Sequence, residues 1–291
     1  RRRKETVKDM DFLVISKDAK RVMDAFTSMP EVRGVLGKGP TKSTVMLAPN
    51  IQADVRVVDE KSFGAALQYF TGSKEHNVRL RQMAIKKGLK LNEYGLFKGA
   101  KMVAGKTEQE VYKALGVPYI EPELRENQGE FDRKLPTLIP YDAIRGDLHM
   151  HTTWSDGRDS MDAMVAACKE KGYEYMAISD HSVSERLANG MDGKRVLKYL
   201  DAIDALQRKH RDIRILKASE VSIRADGSLD YPDSILKRFD VVIASIHSGF
   251  KQPRDVMTDR LVKALSNPYV TIWGHPTARR INAREPIDVD L

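Results

Sequence analysis

Five of the seven histidines, His149, His151, His181, His247 and His275, fall in the second half of the chain, at or just past the ends of short apolar runs. His149 and His151 stand two apart in a strand-like run, which turns both rings to one face and lets them share one ion. Asp156 follows them in HMHTTWSDG, and Glu220 lies just past another run, in KASEV. Imidazole together with carboxylate suits Mn, Zn or Fe, and a set this large points to a multinuclear site that polarises an oxygen and activates water. A lone His247 or His275 would more often be structural. The convergence of five rings and two acids on strand ends is what argues for a metal centre.

The first half carries a different constellation. Asp9 and Asp11 are two apart at the start of a strand, so both carboxylates face one side, and Asp54 sits in a further strand able to lie beside them. Three converging carboxylates hold two Mg²⁺ ions for in-line attack on a phosphate. An Asp-x-Asp pair alone is a weak signal, because solvated loop aspartates are common.

Periodicity supplies the elements that must position these groups. Strands are expected at 11–16, 43–47 and 53–58, and a helix at 17–29 capped by Ser16 or Asp18, with Val22, Met23 and Phe26 on one face. Residues 62–88 read as helical, broken at Thr71-Gly72-Ser73, and 89–97 as extended. Residues 98–145 are richer in Gly, Pro and charge, with one helix at 108–115 ended by Gly116 and Pro118. Beyond a linker, strands at 147–151, 175–178, 214–217, 241–247 and 270–274 alternate with helices at 161–171, 194–210, 234–238 and 254–265. That rhythm is α/β, parallel or barrel-like. Ligands gather at the C-terminal strand ends of such sheets, which is where the histidines fall.

The chain has 291 residues, 41% apolar and 31% charged, enough for two or three globular domains and too apolar for general disorder. A formal charge of +8 makes a polyanion, nucleic acid first, the natural partner. Cys168 is the only cysteine, which excludes an intrachain disulfide and suits a reducing, cytoplasmic location. No apolar run reaches 18 residues, so no membrane span and no membrane partner are expected. Arg1-Arg2-Arg3-Lys4 could pass for a localisation tag or basic arm, but it runs straight into a strand without an initiator Met. The chain is expected to be an internal piece of a longer protein.

The segments GDLHMHTTWSDG, AISDHS, SEV, ASIHSG and GHPTAR resemble the successive motifs of the polymerase-and-histidinol-phosphatase (PHP) superfamily, across residues 145–291. The resemblance implies a distorted (β/α)7 barrel and up to three bound ions of Mn²⁺, Zn²⁺ or Fe. It makes His149, His151, Asp156, His181, Glu220, His247 and His275 metal ligands for hydrolysis of phosphoesters. The family closes its site with a further Asp-x-His pair downstream of GHP, which does not occur before Leu291. The barrel is therefore expected to be incomplete at its C-terminus and short of two ligands.

RRRKETVKDMDFLV resembles the palm motif of family X DNA polymerases, and IQADVRVVD the strand that supplies their third Asp. YFTGSKEHNVRLRQMAIKKGLKLNEYGLF, residues 69–97, is similar to that family's thumb, and LGVPYIEPELRENQGE to the thumb's tail. The resemblance implies that Asp9, Asp11 and Asp54 hold catalytic Mg²⁺ or Mn²⁺, and that Arg2 holds the incoming triphosphate. It places Tyr69 and Phe70 under the sugar, with the backbone kinked at Gly72 to exclude a 2′-hydroxyl. Asn77 would contact the nucleotide base and Arg81 the template strand. Lys8 departs from the small residue usual before the first Asp. The Gly-Ser pair that grips triphosphate, the lyase-like domain and the helix-hairpin-helix clamps would all precede Arg1, so this chain alone is not expected to extend a primer.

Together these readings give an α/β and α+β multidomain chain: a partial nucleotidyltransferase palm (mixed sheet with helices) at 1–60, a thumb at 61–127, a linker at 128–144 and a PHP domain at 145–291. The function implied is DNA repair of the base-excision kind by a monomer acting on gapped or primer-template DNA. Gap filling from dNTPs would be joined to metal-dependent 3′–5′ exonuclease action. Two rival readings are a small-molecule PHP phosphatase with a relic polymerase half, and a non-catalytic DNA-binding scaffold.

Overall fold

The computed structural model describes residues 1–290, Tyr141 by its backbone alone; Leu291, the last residue assigned to the barrel, lies outside the described residues. The chain divides into two compact units between Thr137 and Leu138.

The first unit opens with β1 (Asp9–Ile15), α1 (Ala19–Thr27), β2 (Val32–Lys38), β3 (Lys42–Leu47) and β4 (Ile51–Val58). They form one mixed sheet in the order β1-β4-β3-β2, with β1 parallel to β4 and the other pairs antiparallel. Asp18 caps α1 by accepting from the Arg21 amide at 2.9 Å, and Met23 and Phe26 on that helix pack over Val45, Ala53 and Val55. The edge strand β2 is not legible in VRGVLGK, because its two glycines and shifted register blunt any alternation.

Next come α2 (Phe63–Thr71) and α3 (Lys74–Lys86), parted at Gly72, whose φ of 69° suits glycine. The Ser73 hydroxyl then accepts from the His76 amide at 3.2 Å to start α3. Strands β5 (Lys90–Asn92), β6 (Gly95–Lys98) and β7 (Lys101–Ala104) make a small antiparallel sheet, and α4 (Glu108–Leu115) ends on left-handed Gly116. Leu80, Leu96, Val111, Tyr112 and Ile120 join these elements in one core. Residues 128–137, read from sequence as the start of the linker, belong to this unit. Glu130 is buried, 2.8 Å from His76 Nδ1, and accepts from the amides of Asn127 and Gln128, while Phe131 stacks on His76. A buried carboxylate with three donors ties down a stretch whose composition suggests a tether.

The second unit alternates throughout: β8 (Gly146–Met150), α5 (Met161–Glu170), β9 (Tyr175–Ile178), α6 (Gly193–Lys209), β10 (Arg214–Ser222), α7 (Asp233–Leu236), β11 (Val241–Ser245), α8 (Arg254–Leu265) and β12 (Ile272–Trp273). Its five strands are all parallel, in the order β12-β11-β10-β9-β8, a half-barrel beside the seven strands expected of a closed one. Val196, Tyr199, Leu200 and Ile203 of α6 pack with Met176, Ile178 and Ile215 of the sheet. Strand β10 runs five residues beyond its expected end because β11 pairs with it from Ala218 to Ser222, so Glu220 lies within a strand rather than past one. Strand β12 is correspondingly short, pairing only through Ile272 and Trp273. Among the described residues, no helix is long and apolar enough to cross a membrane.

Candidate metal centre

The parallel strands deliver the histidines to one end of the sheet. His149 is the last residue but one of β8 and His151 lies one residue beyond the strand; His181 follows β9 and forms an isolated parallel bridge with Glu220 of β10. His247 lies past β11, and His275 past β12. His275 adopts φ 29°, a sparsely populated region for a side-chain-bearing residue and one that clusters at functional sites. All seven residues singled out in this half, Asp156 included, line a single cavity of about 670 Å³.

Glu220 is the centre of the cluster. Its side chain is 2% exposed, and five ring nitrogens approach it: His149 Nε2 at 3.3 Å, His151 Nε2 at 3.3 Å, His181 Nδ1 at 3.2 Å, His247 Nε2 at 3.1 Å and His275 Nε2 at 2.7 Å. Asp156 lies at the side, 2.9 Å from His151 Nδ1 and 3.7 Å from His181 Nε2. Burial pushes the Glu220 carboxyl up, but the hydrogen bonds from His149, His151, His247 and His275 outweigh it and hold the group far below the usual carboxylate range. Burial opposes the charge on His151 as well, yet Glu220 and Asp156 raise that ring above its ordinary value, and the Glu220 hydrogen bond raises His275. His181 goes the other way. Burial, with His151 and His247 beside it, outweighs the attraction of Glu220 and pushes it down to about 4.

These residues fit a divalent-ion site. Three sets, His149–His151–Glu220, His151–Asp156–His181 and His181–Glu220–His247, each bring their ligand atoms within 4.8 Å of one another. His181 Nδ1, though 3.2 Å from Glu220, is not angled to hydrogen-bond it and is buried without a partner, a cost that an ion would relieve. Imidazole and carboxylate donors in these numbers suit a borderline transition metal.

The acidic trio of the first unit is brought together less completely. Asp11 and Asp54 are direct partners in the parallel β1–β4 register. Burial, then Asp54, then Asp9, raises the Asp11 carboxyl above its ordinary value. Asp9 and Asp11 line a cleft of about 490 Å³ with Arg2, Lys8 and Phe70. Asp54 is turned to Thr44, Gln52 and Lys42, whose bonds outweigh its burial and lower its carboxyl. Arg2 donates to Thr71 O at 2.9 Å and pairs with Glu126 at 2.6 Å. Tyr69 and Phe70 pack edge to face at 5.1 Å, with Arg56 over the Phe70 ring. Tyr69, Gly72, Asn77 and Arg81 do not line the cleft. Asn77 is buried, its amide donating to Tyr69 O at 2.7 Å and accepting from Gln68 at 2.5 Å, so here it staples α2 to α3. Arg81 Nε donates to Asn77 O at 3.3 Å.

Residues 66–126 match the family model of the DNA polymerase beta thumb, and residues 147–272 that of the PHP domain. The whole chain is 41% identical to the DNA polymerase/3′-5′ exonuclease PolX of Bacillus subtilis (strain 168), covering 52% of it. The chain thus matches a polymerase beta thumb followed by a PHP domain, and it is similar along its whole length to a DNA polymerase/exonuclease of the PolX kind. The PHP unit is also 34% identical, over 149 residues, to a probable phosphatase of Thermoanaerobacter sp. (strain X514), spanning 50% of this chain and 57% of that protein. The chain thus spans about half the length of the curated relatives it matches. A solved polymerase beta of Leishmania infantum, in a ternary P/T complex, is 31% identical over 43% of this chain and 64% of that one, with a TM-score of 0.39.

The PHP unit contains supporting groups that the sequence reading passed over. Asp180 is fully buried beside His181 and accepts from Thr152 N and Oγ1, each at 2.8 Å, and from Ser155 N at 3.0 Å and Oγ at 2.5 Å. It thereby fixes the loop that presents Asp156. Ser222 Oγ meets His247 Nδ1 at 3.0 Å and orients that ring. Glu185 and Arg284 line the same cavity. Asp180 was visible as the acid preceding His181 in AISDHS; Ser222, Glu185 and Arg284 carry no local signal, since only the assembled sheet and its loops bring them in.

Proposed function

We propose that the chain serves DNA repair, pairing template-directed nucleotidyl transfer in short gaps, from the palm–thumb unit, with 3′–5′ exonucleolytic hydrolysis by the PHP unit. The observation that carries the reading is five histidines converging on the buried Glu220 in the unit that follows a polymerase-type thumb. His149, His151, Asp156, His181, Glu220, His247 and His275 would hold Mn²⁺, Zn²⁺ or Fe. Such ions supply Lewis acidity at the phosphate and make water a better nucleophile at neutral pH. The chain's own part is to fix the ligands. Glu220 remains ionised through its histidine bonds, His181 stays neutral and able to ligate, and Asp180 holds the Asp156 loop. In the first unit Asp9, Asp11 and Asp54 would hold Mg²⁺ or Mn²⁺. Arg2 would serve the triphosphate and Tyr69 with Phe70 the sugar, with Gly72 at the kink, Asn77 near the base and Arg81 near the template. Gapped DNA and dNTPs are the partners this assigns, and the positive charge makes DNA affinity fall steeply with salt.

The test uses the intact protein, a 5′-labelled primer in a short-gapped duplex and Mn²⁺, with and without dNTPs. Asp11→Ala should abolish lengthening and leave shortening; His149→Ala should do the reverse. A wild-type protein that hydrolyses a soluble phosphate monoester but leaves the DNA end untouched would replace this reading with a small-molecule phosphatase. DNA binding with neither reaction would make it a scaffold.

A further inference from the structure

The walls of the PHP cavity carry both signs, with Asp156, Glu185 and Glu220 on one side of the balance and three arginines on the other. Glu220, 2% exposed, forms the floor, whereas His275, 44% exposed, marks the open side. Arg279, Arg280 and Arg284 line the cavity too, and the charge of Arg284 bears on His275. Arg284 is held in place. Its guanidinium lies 3.7 Å over the Phe250 ring, its Nε donates to Ala278 O at 2.7 Å, and a backbone bridge with Arg280 closes the turn that carries it. Among the described residues no carboxylate lies within ion-pair distance of Arg284. The fork is therefore fixed at one edge by stacking and one backbone bond, with its terminal nitrogens uncommitted. Such an arrangement is pre-organised for a phosphate oxygen.

We propose that Arg284 binds the phosphate next to the one being cleaved, so that the cavity selects a polynucleotide end over a lone phosphate ester. The proposal rests on the phosphoesterase reading above and names its substrate class. Ions held around Glu220 would take the scissile phosphate at the floor. An arginine at the mouth then meets the following phosphate of a chain, which a phosphomonoester does not possess. Arg284 is thus a specificity residue, separate from the metal-holding set.

The experiment compares two substrates of the intact protein in Mn²⁺: a 5′-labelled single-stranded oligonucleotide, and thymidine 5′-p-nitrophenyl phosphate, which has a single phosphodiester. Arg284→Gln should raise KM for the oligonucleotide about tenfold, the scale of one charge-assisted hydrogen bond, with kcat held within about twofold. Arg284→Lys should fall between, and the chromogenic ester should be cleaved equally by all three proteins. A second arm needs no variant: an oligonucleotide with a neutral methylphosphonate beside the scissile phosphate should show the same rise in KM with wild-type protein. Equal losses on both substrates, no loss on either, or indifference to the methylphosphonate would overturn the assignment while leaving the phosphoesterase reading intact. Failure of the wild-type protein to cleave either substrate would instead remove the phosphoesterase reading itself, and this one with it.

Discussion

Glu220 concentrates the electrostatics of the second unit in one side chain, and its environment sets a pH dependence that metal removal should expose. The carboxyl is held far below its ordinary value, so its contribution to stability is present above the unfolded carboxylate pKa of about 4.3 and is not lost at mildly acid pH. His151 and His275 are raised instead. Their contribution is complete below the unfolded histidine value of about 6.5 and drains away as pH rises through their folded values. His181, pushed down to about 4, works the other way over this range, but two raised rings stand against that one, so the metal-free unit should be more stable near pH 6 than near pH 8. A bound ion reverses the preference, because it competes with the same protons. Chelation should lower the melting temperature more at pH 8 than at pH 6, by about 3 °C for each 1 kcal/mol of linkage. Glu220→Gln should lose the bound ion and flatten that difference, read by calorimetry with metal analysis at both pH values. A larger chelation effect at pH 6 would mean that the histidines are not the ion's ligands.

At the scale of elements, the half-barrel was legible because β8, β9, β11 and β12 are apolar runs followed by a polar, histidine-bearing turn, while β10 carries Glu220. The expected bounds of β9 and α8 coincide with those observed, at Tyr175–Ile178 and Arg254–Leu265. What escaped was set by partners. The last five residues of β10 are extended because β11 lies beside them, and the glycine-bearing β2 exists only as an edge for β3. The same holds in the first unit, where the strand spacing foretold the meeting of Asp11 with Asp54 but not the enclosure of Asn77 between two helices. Gly274 shows how an element end sets a ligand. A Cβ there would stand 2.1 Å from Ser245 Oγ and 2.8 Å from Ile243 Cγ2, so β12 can lie against β11 only with glycine at this position. Gly274→Ala is expected to cost about 2 kcal/mol through overpacking and to displace His275. Metal titration of the folded variant should show weaker uptake; unchanged uptake and melting would mean that the strand end yields without moving its histidine.

For the whole molecule, each unit has hydrophobic clusters of its own: those around Val45 and Leu80 lie in the first, and those around Tyr199, Ala244 and Ile243 in the second. Each unit also has its own polar keystone. In the second it is Glu220. In the first it is Arg125, fully buried, whose Nη1 meets Glu108 Oε1 at 2.6 Å while Arg1 reaches the same carboxylate at 2.8 Å. Burial opposes the charge on Glu108, but the two arginines hold its carboxyl below the ordinary range. Removing that charge strands a buried guanidinium, at a cost of about 3 kcal/mol. In a unit of this size that amounts to a fall of about 10 °C in melting temperature. Glu108→Gln should therefore lower one calorimetric transition and leave metal content unchanged, while chelation lowers a different transition and leaves the thumb's melting alone. Each unit would then answer only to its own keystone, as separate cores require. If both perturbations move one shared transition together, the units are thermodynamically a single body, and the barrel's ions help to hold the thumb's fold.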